Sequence, residues 1–241
     1  MKDLSIIVPA YNEGKNIFNC IKEIEKSIGN PTYDYEIIVI DNASTDNTYK
    51  ECLRAVSEND RVKVFRCMEK GKGNALKHSI QFVNGNLITF IDADLDLHPR
   101  QIPLFIEYMK KYDADVVVGS KRHPLSKVRY PFFRRILSDV YYYFFVKLFF
   151  GLPVKDTQTG LKLFKYEVLK KVVPKVLCKR YAFDLELLVN IHKHGFKIVE
   201  APIDLNFKRF RNRIGLKAIW NIFVDTAAIF YRLNILHYYD D

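Results

Sequence analysis

The sequence predicts an α/β fold built on a mostly parallel sheet with helices on both faces, and three observations carry that expectation. Five short runs rich in β-branched residues (4–8, 36–40, 62–65, 87–91 and 116–119) are apolar almost throughout rather than alternating, as strands covered on both sides must be. The stretches between them (14–28, 44–56, 73–83 and 100–111) fit helices, which gives the strand–helix alternation of a parallel sheet. Polar clusters follow the strands, and ligands of such sheets bind at the strands' C-terminal ends.

The first strand ends in Pro9-Ala10-Tyr11-Asn12-Glu13-Gly14 and the second in Asp41-Asn42-Ala43-Ser44-Thr45-Asp46. Both sets stand where a nucleotide would sit. Glu13 and Asp41 can accept hydrogen bonds from base or ribose hydroxyls, and Tyr11 can pack on the base. Ser44 and Asp46 are equally suited to capping the following helix. After the third strand, Lys70-Gly71-Lys72-Gly73-Asn74-Ala75 precedes a helix. Its glycines let backbone approach a ligand and the helix start favours anions, although it lacks the length and the Lys-Ser/Thr pair of a P-loop.

The fourth strand ends in Asp92-Ala93-Asp94, the most informative stretch of the chain. In extended backbone, residues two apart share a side, so Asp92 and Asp94 project together and Asp96 joins them if the extension continues. Carboxylates so placed resist joint ionisation, and a divalent cation with oxygen ligands removes that penalty. Mg2+ or Mn2+ held by one or two carboxylates usually completes its shell with substrate phosphates. The expectation is a metal-bound diphosphate.

The 241 residues carry a net charge of +10, and about half are hydrophobic, enough for a sizeable core. Four scattered cysteines without a C-x-x-C pair suggest a reducing compartment. Neither a signal peptide nor a membrane span is expected, because no segment reaches the roughly 20 uninterrupted apolar residues a span needs. The charge gathers in two groups. One comprises Lys121, Arg122, Lys127, Arg129, Arg134, Arg135 and Lys147, and the other Lys208, Arg209, Arg211, Arg213 and Lys217. Next to them lie an aromatic helix through 141–150 and a C-terminal helix with the stripe Leu216, Ile219, Trp220, Phe223, Ala227 and Phe230. Both helices suit either packing on the sheet or lying in a membrane interface. No helix-turn-helix, RNP or zinc-ligand pattern supports a nucleic-acid partner.

Pro-Ala-Tyr-Asn-Glu, Asp-Asn-Ala-Ser-Thr-Asp, Gly-Lys-Gly-Asn-Ala and Asp-Ala-Asp-Leu, in that order and spacing, resemble the family 2 glycosyltransferases with the GT-A fold. Gly119-Ser120-Lys121-Arg122, Arg134-Arg135-Ile136-Leu137-Ser138, Asp156-Thr157-Gln158-Thr159-Gly160 and Phe183-Asp184-Leu185-Glu186-Leu187-Leu188 look like the polyprenyl-phosphate branch, which includes dolichyl-phosphate mannose and dolichyl-phosphate glucose synthases. The resemblance implies a single GT-A domain over 1–241. Its 1–120 half would bind the nucleotide-sugar, and its 121–241 half the acceptor, with the membrane-interface helices. It assigns Pro9, Tyr11, Asn12, Glu13, Asp41, Lys70, Gly71, Lys72 and Asp92 to the donor. Metal goes to Asp92, Asp94 and Asp96, although the family often carries Gln at the last position. Catalysis goes to Asp94, Arg134, Lys121 and Arg122. The family's Gly-Ser-Arg is Gly119-Ser120-Lys121 here, so either Lys121 or Arg122 takes the phosphate.

The implied reaction is metal-dependent, inverting transfer of a hexose from a nucleotide-sugar to a polyprenyl (dolichyl) phosphate, on the cytoplasmic face of an anionic membrane. The Asp-Thr-Gln-Thr-Gly and Phe-Asp-Leu-Glu segments look closer to the glucose-type synthases and favour a UDP-hexose over GDP-mannose. A phosphate acceptor is already largely a dianion at neutral pH and needs little general-base help. Asp184 and Glu186 are open to two readings, as orienting groups for the sugar or as anchors of a basic cluster. The rival enzyme reading is a family 2 transferase acting on a soluble glycan, whose hydroxyl would need a base.

Overall fold

The computed structural model describes residues 2–28, 33–128, 147–180, 182–206 and 216–240. The strands are β1 (Lys2–Ala10), β2 (Tyr35–Asp41), β3 (Val62–Arg66), β4 (Gly85–Phe90), β5 (Val116–Ser120), β6 (Lys127–Val128), β7 (Lys162–Lys165), β8 (Ile198–Pro202) and β9 (Asp204–Leu205). The α-helices are α1 (Ile17–Ile28), α2 (Thr48–Glu58), α3 (Lys72–Ser79), α4 (Ile102–Tyr112), α5 (Tyr166–Val172), α6 (Phe183–Lys193) and α7 (Leu216–Asn234).

Seven strands form one sheet in the order β3-β2-β1-β4-β7-β5-β8. β1 pairs in parallel with β2 and β4, β2 with β3, and β5 with β8. β7 alone runs antiparallel, between β4 and β5. The five expected strands all appear, each within two residues at either end, and the β1–β2 pairing extends through Ala10 to Asp41. The side-chain period of two divides the core cleanly. Ile6, Val8, Ile37 and Val39 pack with Ile21 and Ile24 of α1 and Phe105 of α4. Ile7, Ile88 and Phe90 pack on the other face with Val168 of α5 and Leu187 and Ile191 of α6.

Two helices start later than the sequence suggests, and for the same reason. Residues 12–14 and 44–47 are tied to each other by side chains instead of starting α1 and α2. β7 was not among the expected strands. Its Lys162 is 1% exposed in the middle of the sheet, where a cation is costly unless paired, and it is held by Asp184 of α6 at 2.6 Å.

The C-terminal helix reverses the simple packing expectation. The face of α7 that meets the sheet domain carries Thr226 and Ile229, both buried, while Trp220 (65% exposed), Phe223 and Phe230 of the apolar stripe point outward. Arg232 reaches inward to Glu186 at 2.8 Å. Phe149 meets Phe230 edge-on at 5.4 Å between centroids, and Leu148 is exposed beside it. No described helix is long and apolar enough to cross a membrane. Residues 141–146 of the aromatic helix expected through 141–150 lie outside the described residues.

Candidate functional site

The ends of β1 and β2 are laced together. Asn12, at φ 54°, donates its N–H to Ser44 Oγ at 3.0 Å and accepts from the Thr45 N–H at 2.9 Å. Asp46 accepts from the N–H groups of Gly14 (3.1 Å) and Thr48 (3.0 Å), so it caps α2 and holds the neighbouring loop at once. Asn42 fixes the third loop. Its Nδ2 donates to the carbonyls of Cys67 and Glu69, and its Oδ1 accepts from the Gly71 N–H at 2.7 Å. Gly71 sits at φ 132°, where any Cβ would fall 2.2 Å from the Lys179 carbonyl oxygen.

Beyond β4 the chain does not stay extended. It turns at Ala93-Asp94, and Leu95 takes φ 59°. The Asp94 carboxylate accepts from the Asp96 N–H at 3.0 Å. Among the described residues no group of three or more His, Cys, Asp or Glu is already gathered as a metal site. Asp92 and Asp94 border the cavity and Asp96 does not. The backbone turn ends the extension that would have brought Asp96 alongside.

Asp92 meets Lys72, the first residue of α3, at 2.5 Å. Its other oxygen lies against Gly160, where a Cβ would come within 2.0 Å. Burial raises the Asp92 carboxyl, but the Lys72 charge and hydrogen bond outweigh it and hold the group below the usual range. Asp94 goes the other way. Burial, then the negative charge of Asp92, push it up to about 6 against the Asp96 N–H. Asp184 also lines the cavity, bound to buried Lys162.

The resulting cavity of about 580 Å³ collects Pro9, Tyr11, Glu13, Lys70, Gly71, Lys72, Asp92 and Asp94 from the ends of β1, β3 and β4, all expected from the sequence. Tyr11 is half exposed, with Lys70 Nζ 5.7 Å from its ring centre. Ala10, Asn42, Ala93, Gln158, Arg180 and Asp184 complete the lining. Asn42 was legible as the residue after Asp41. Gln158 and Arg180 follow no parallel strand, and only long-range packing brings them in.

Other expected residues stand off the lining. Asn12 ties loops together. Asp41 is fully buried, engaged with Arg66 Nε at 3.1 Å and the Ser44 N–H at 3.3 Å. Lys121 donates to Asp156 and Thr159, with an ion-pair distance of 2.9 Å. Asp156, though buried, is pulled down by Lys121 and by its hydrogen bonds. Arg122 is beside it, also off the lining. Arg134 lies outside the described residues.

Two hard oxygen donors converge on one wall, and one of them carries negative charge that its surroundings leave poorly compensated. That donor set fits Mg2+ or Mn2+, which need only one or two carboxylates when phosphate supplies the rest.

Residues 5–173 match the sequence profile of glycosyl transferase family 2. The chain belongs to that family. As a family 2 chain it is 30% identical over 215 residues to a dolichyl-phosphate beta-glucosyltransferase of Dictyostelium discoideum, covering 83% of this chain and 65% of that protein. It is 32% identical to one of Drosophila melanogaster, covering 77% and 61%. Against glycosyltransferase AglD of Haloferax volcanii the identity is 27%, with 84% and 33% covered. The family 2 chain thus spans a third to just under two thirds of these relatives. Its fold matches glucosyl-3-phosphoglycerate synthase of Mycobacterium tuberculosis, crystallised with uridine diphosphate, at a TM-score of 0.70 and 20% identity over 95% of this chain and 79% of that one. The expected GT-A fold is therefore observed.

Proposed function

We propose that this chain transfers a hexose from a nucleoside-diphosphate sugar, a UDP-hexose in preference to GDP-mannose, to a polyprenyl (dolichyl) phosphate with inversion. The observation that carries the reading is the cavity whose lining brings Asp92 and Asp94 together with Lys70, Gly71, Lys72 and Arg180. Carboxylates for a cation and cations for phosphates on one wall pair suit a leaving diphosphate. The dolichyl-phosphate relatives support the acceptor, and the Mycobacterium tuberculosis structure with Mn2+ and UDP-glucose supports the donor and the metal.

Asp92 and Asp94 would hold Mg2+ or Mn2+. When bound, the cation stabilises the charge that develops on the departing diphosphate. Tyr11 and Glu13 position the nucleoside, and Lys70 and Lys72 neutralise the diphosphate. Arg134, with Lys121 or Arg122, presents the acceptor phosphate. The anomeric carbon is attacked by an oxygen already ionised, so no side chain need take a proton. The outward face of α7 with Leu148 and Phe149 would rest on the cytoplasmic surface of an anionic membrane, where the acceptor's headgroup lies.

A second reading keeps the donor chemistry and changes the acceptor to a soluble one, supported by the synthase fold match. Incubation with Mn2+, a polyprenyl phosphate and a panel of labelled UDP- and GDP-sugars separates them. Label entering the chloroform-soluble fraction from a UDP-hexose is the expected result. Label appearing only on water-soluble acceptors would replace the first reading by the second.

A further inference from the structure

Glu186 is a fully buried carboxylate in the first turn of α6, surrounded by apolar core. Its oxygens accept from four donors. Two are successive backbone N–H groups, Leu177 at 2.8 Å and Cys178 at 2.6 Å. The other two come from the C-terminal segment, Arg232 Nη2 at 2.8 Å and the Tyr239 hydroxyl at 2.5 Å. Arg232 Nε also donates to that hydroxyl at 3.0 Å. An apolar residue of similar volume would satisfy the packing at less cost than a buried charge, so packing alone does not account for a carboxylate here. What the carboxylate fixes is a path of backbone.

That backbone leads into the cavity. One residue past Cys178, the Lys179 carbonyl accepts from the Gly73 N–H at 3.1 Å and crowds Gly71. The next residue, Arg180, lines the cavity with Lys70 and Lys72. Lys72 is already engaged with Asp92, and no ion pair among the described residues takes up the Arg180 guanidinium. A planar fork of donors at the rim of a site with hard acidic and basic groups suits a phosphate.

We propose that Arg180 holds a phosphate group of a substrate and that Glu186 is its positioning residue, setting the 177–180 loop and joining it to the C-terminal segment through Arg232 and Tyr239. The inference rests on the proposed function, and the phosphate belongs either to the donor diphosphate or to the lipid acceptor. Calorimetry of UDP binding in the presence of Mn2+ and the KM for polyprenyl phosphate distinguish the two.

Arg180→Ala, at an exposed position, should weaken one of these by roughly tenfold or more, the scale of a lost charge-assisted hydrogen bond. Glu186→Gln should shift the same parameter in the same direction, and adding it to Arg180→Ala should produce little further loss. Tyr239→Phe, which removes only one of the four donors, should give a smaller shift of the same kind and serves if Glu186→Gln does not fold. Wild-type protein that binds no UDP with Mn2+ would overturn the functional reading and this inference together. If wild type binds, then Arg180→Ala without effect on either parameter overturns the inference alone. So does a Glu186 or Tyr239 variant that lowers the thermal midpoint and leaves both parameters unmoved.

Discussion

Lys72 Nζ lies 2.5 Å from Asp92 Oδ1 at the wall of the cavity, and that contact joins the third strand-end loop to the fourth. Its counterpart is unequal. Asp92 has a cation beside it, while Asp94, two residues on, has chiefly other carboxylates and is pushed up to about 6. The two aspartates have different electrostatics, and different outcomes follow when each is changed.

Asp94→Asn should reduce transfer by a factor of about 100 or more, because the position would lose an anionic oxygen ligand. Folding should not suffer. A carboxyl whose folded value is raised destabilises the folded state when ionised, above about pH 6, and that cost fades as pH falls toward the unfolded value near 4. The neutral amide should therefore melt no lower than wild type at pH 7.5. A melting curve beside a transfer assay checks both halves.

Gly160→Ala should impair the same site from behind. A Cβ there would come within 2.0 Å of Asp92 Oδ2, so either the Asp92 side chain or the 156–160 loop must move. Overpacking of this kind costs about 1–3 kcal/mol, and we expect loss of Mn2+-dependent UDP binding along with lowered stability. Unchanged binding would mean that Asp92 can swing away without consequence.

Acidification should destabilise the chain through Asp156. Its carboxyl is buried, which raises it, but the Lys121 charge and several hydrogen bonds pull it below the ordinary value. A depressed carboxyl contributes stability that is present above the unfolded value, about 3.9, and is lost as pH falls through the folded one. Asp156→Asn should be less stable than wild type at neutral pH, with a smaller further loss between pH 4 and pH 2. Parallel losses in both proteins would show that the Lys121–Asp156 pair does not set the acid limb.

Trp220 is largely exposed and stacks on Phe223, 5.8 Å away between ring centres. Trp220→Ser should leave stability within about 0.5 kcal/mol of wild type, as exposed positions usually do. Flotation with acidic vesicles at low salt should fall several-fold, since an aromatic at the interface would be lost. Equal flotation would remove α7 from the membrane contact.

Much of this was legible in the chain because parallel strands covered on both faces read as unbroken apolar runs, as 36–40 and 87–91 do. The residues after those runs then fall on the cavity by topology alone, which is how Tyr11, Lys72 and Asp92 were found. β7 was not legible, since Lys162 and Lys165 bound it and its place is set by pairing with two distant strands. Arg180 was hidden for a similar reason, because a buried glutamate and a glycine carry its loop into the site. Whether Asp96 shares a side with Asp94 depended on continued extension, and Leu95 at φ 59° ends that extension. Periodicity placed Trp220, Phe223 and Phe230 of α7 on one side, but which side meets the rest of the chain is set by Thr226 and Ile229, which pack inward.

The central claim is that Asp92 and Asp94 hold a divalent cation which neutralises a nucleoside diphosphate as a sugar passes to a lipid phosphate. The most direct measurement is transfer of labelled hexose from a UDP-hexose into chloroform-soluble product, with and without EDTA, and after Mn2+ is restored. Product that disappears with EDTA and returns with Mn2+ is the predicted result. Product formed equally well under chelation would contradict the account.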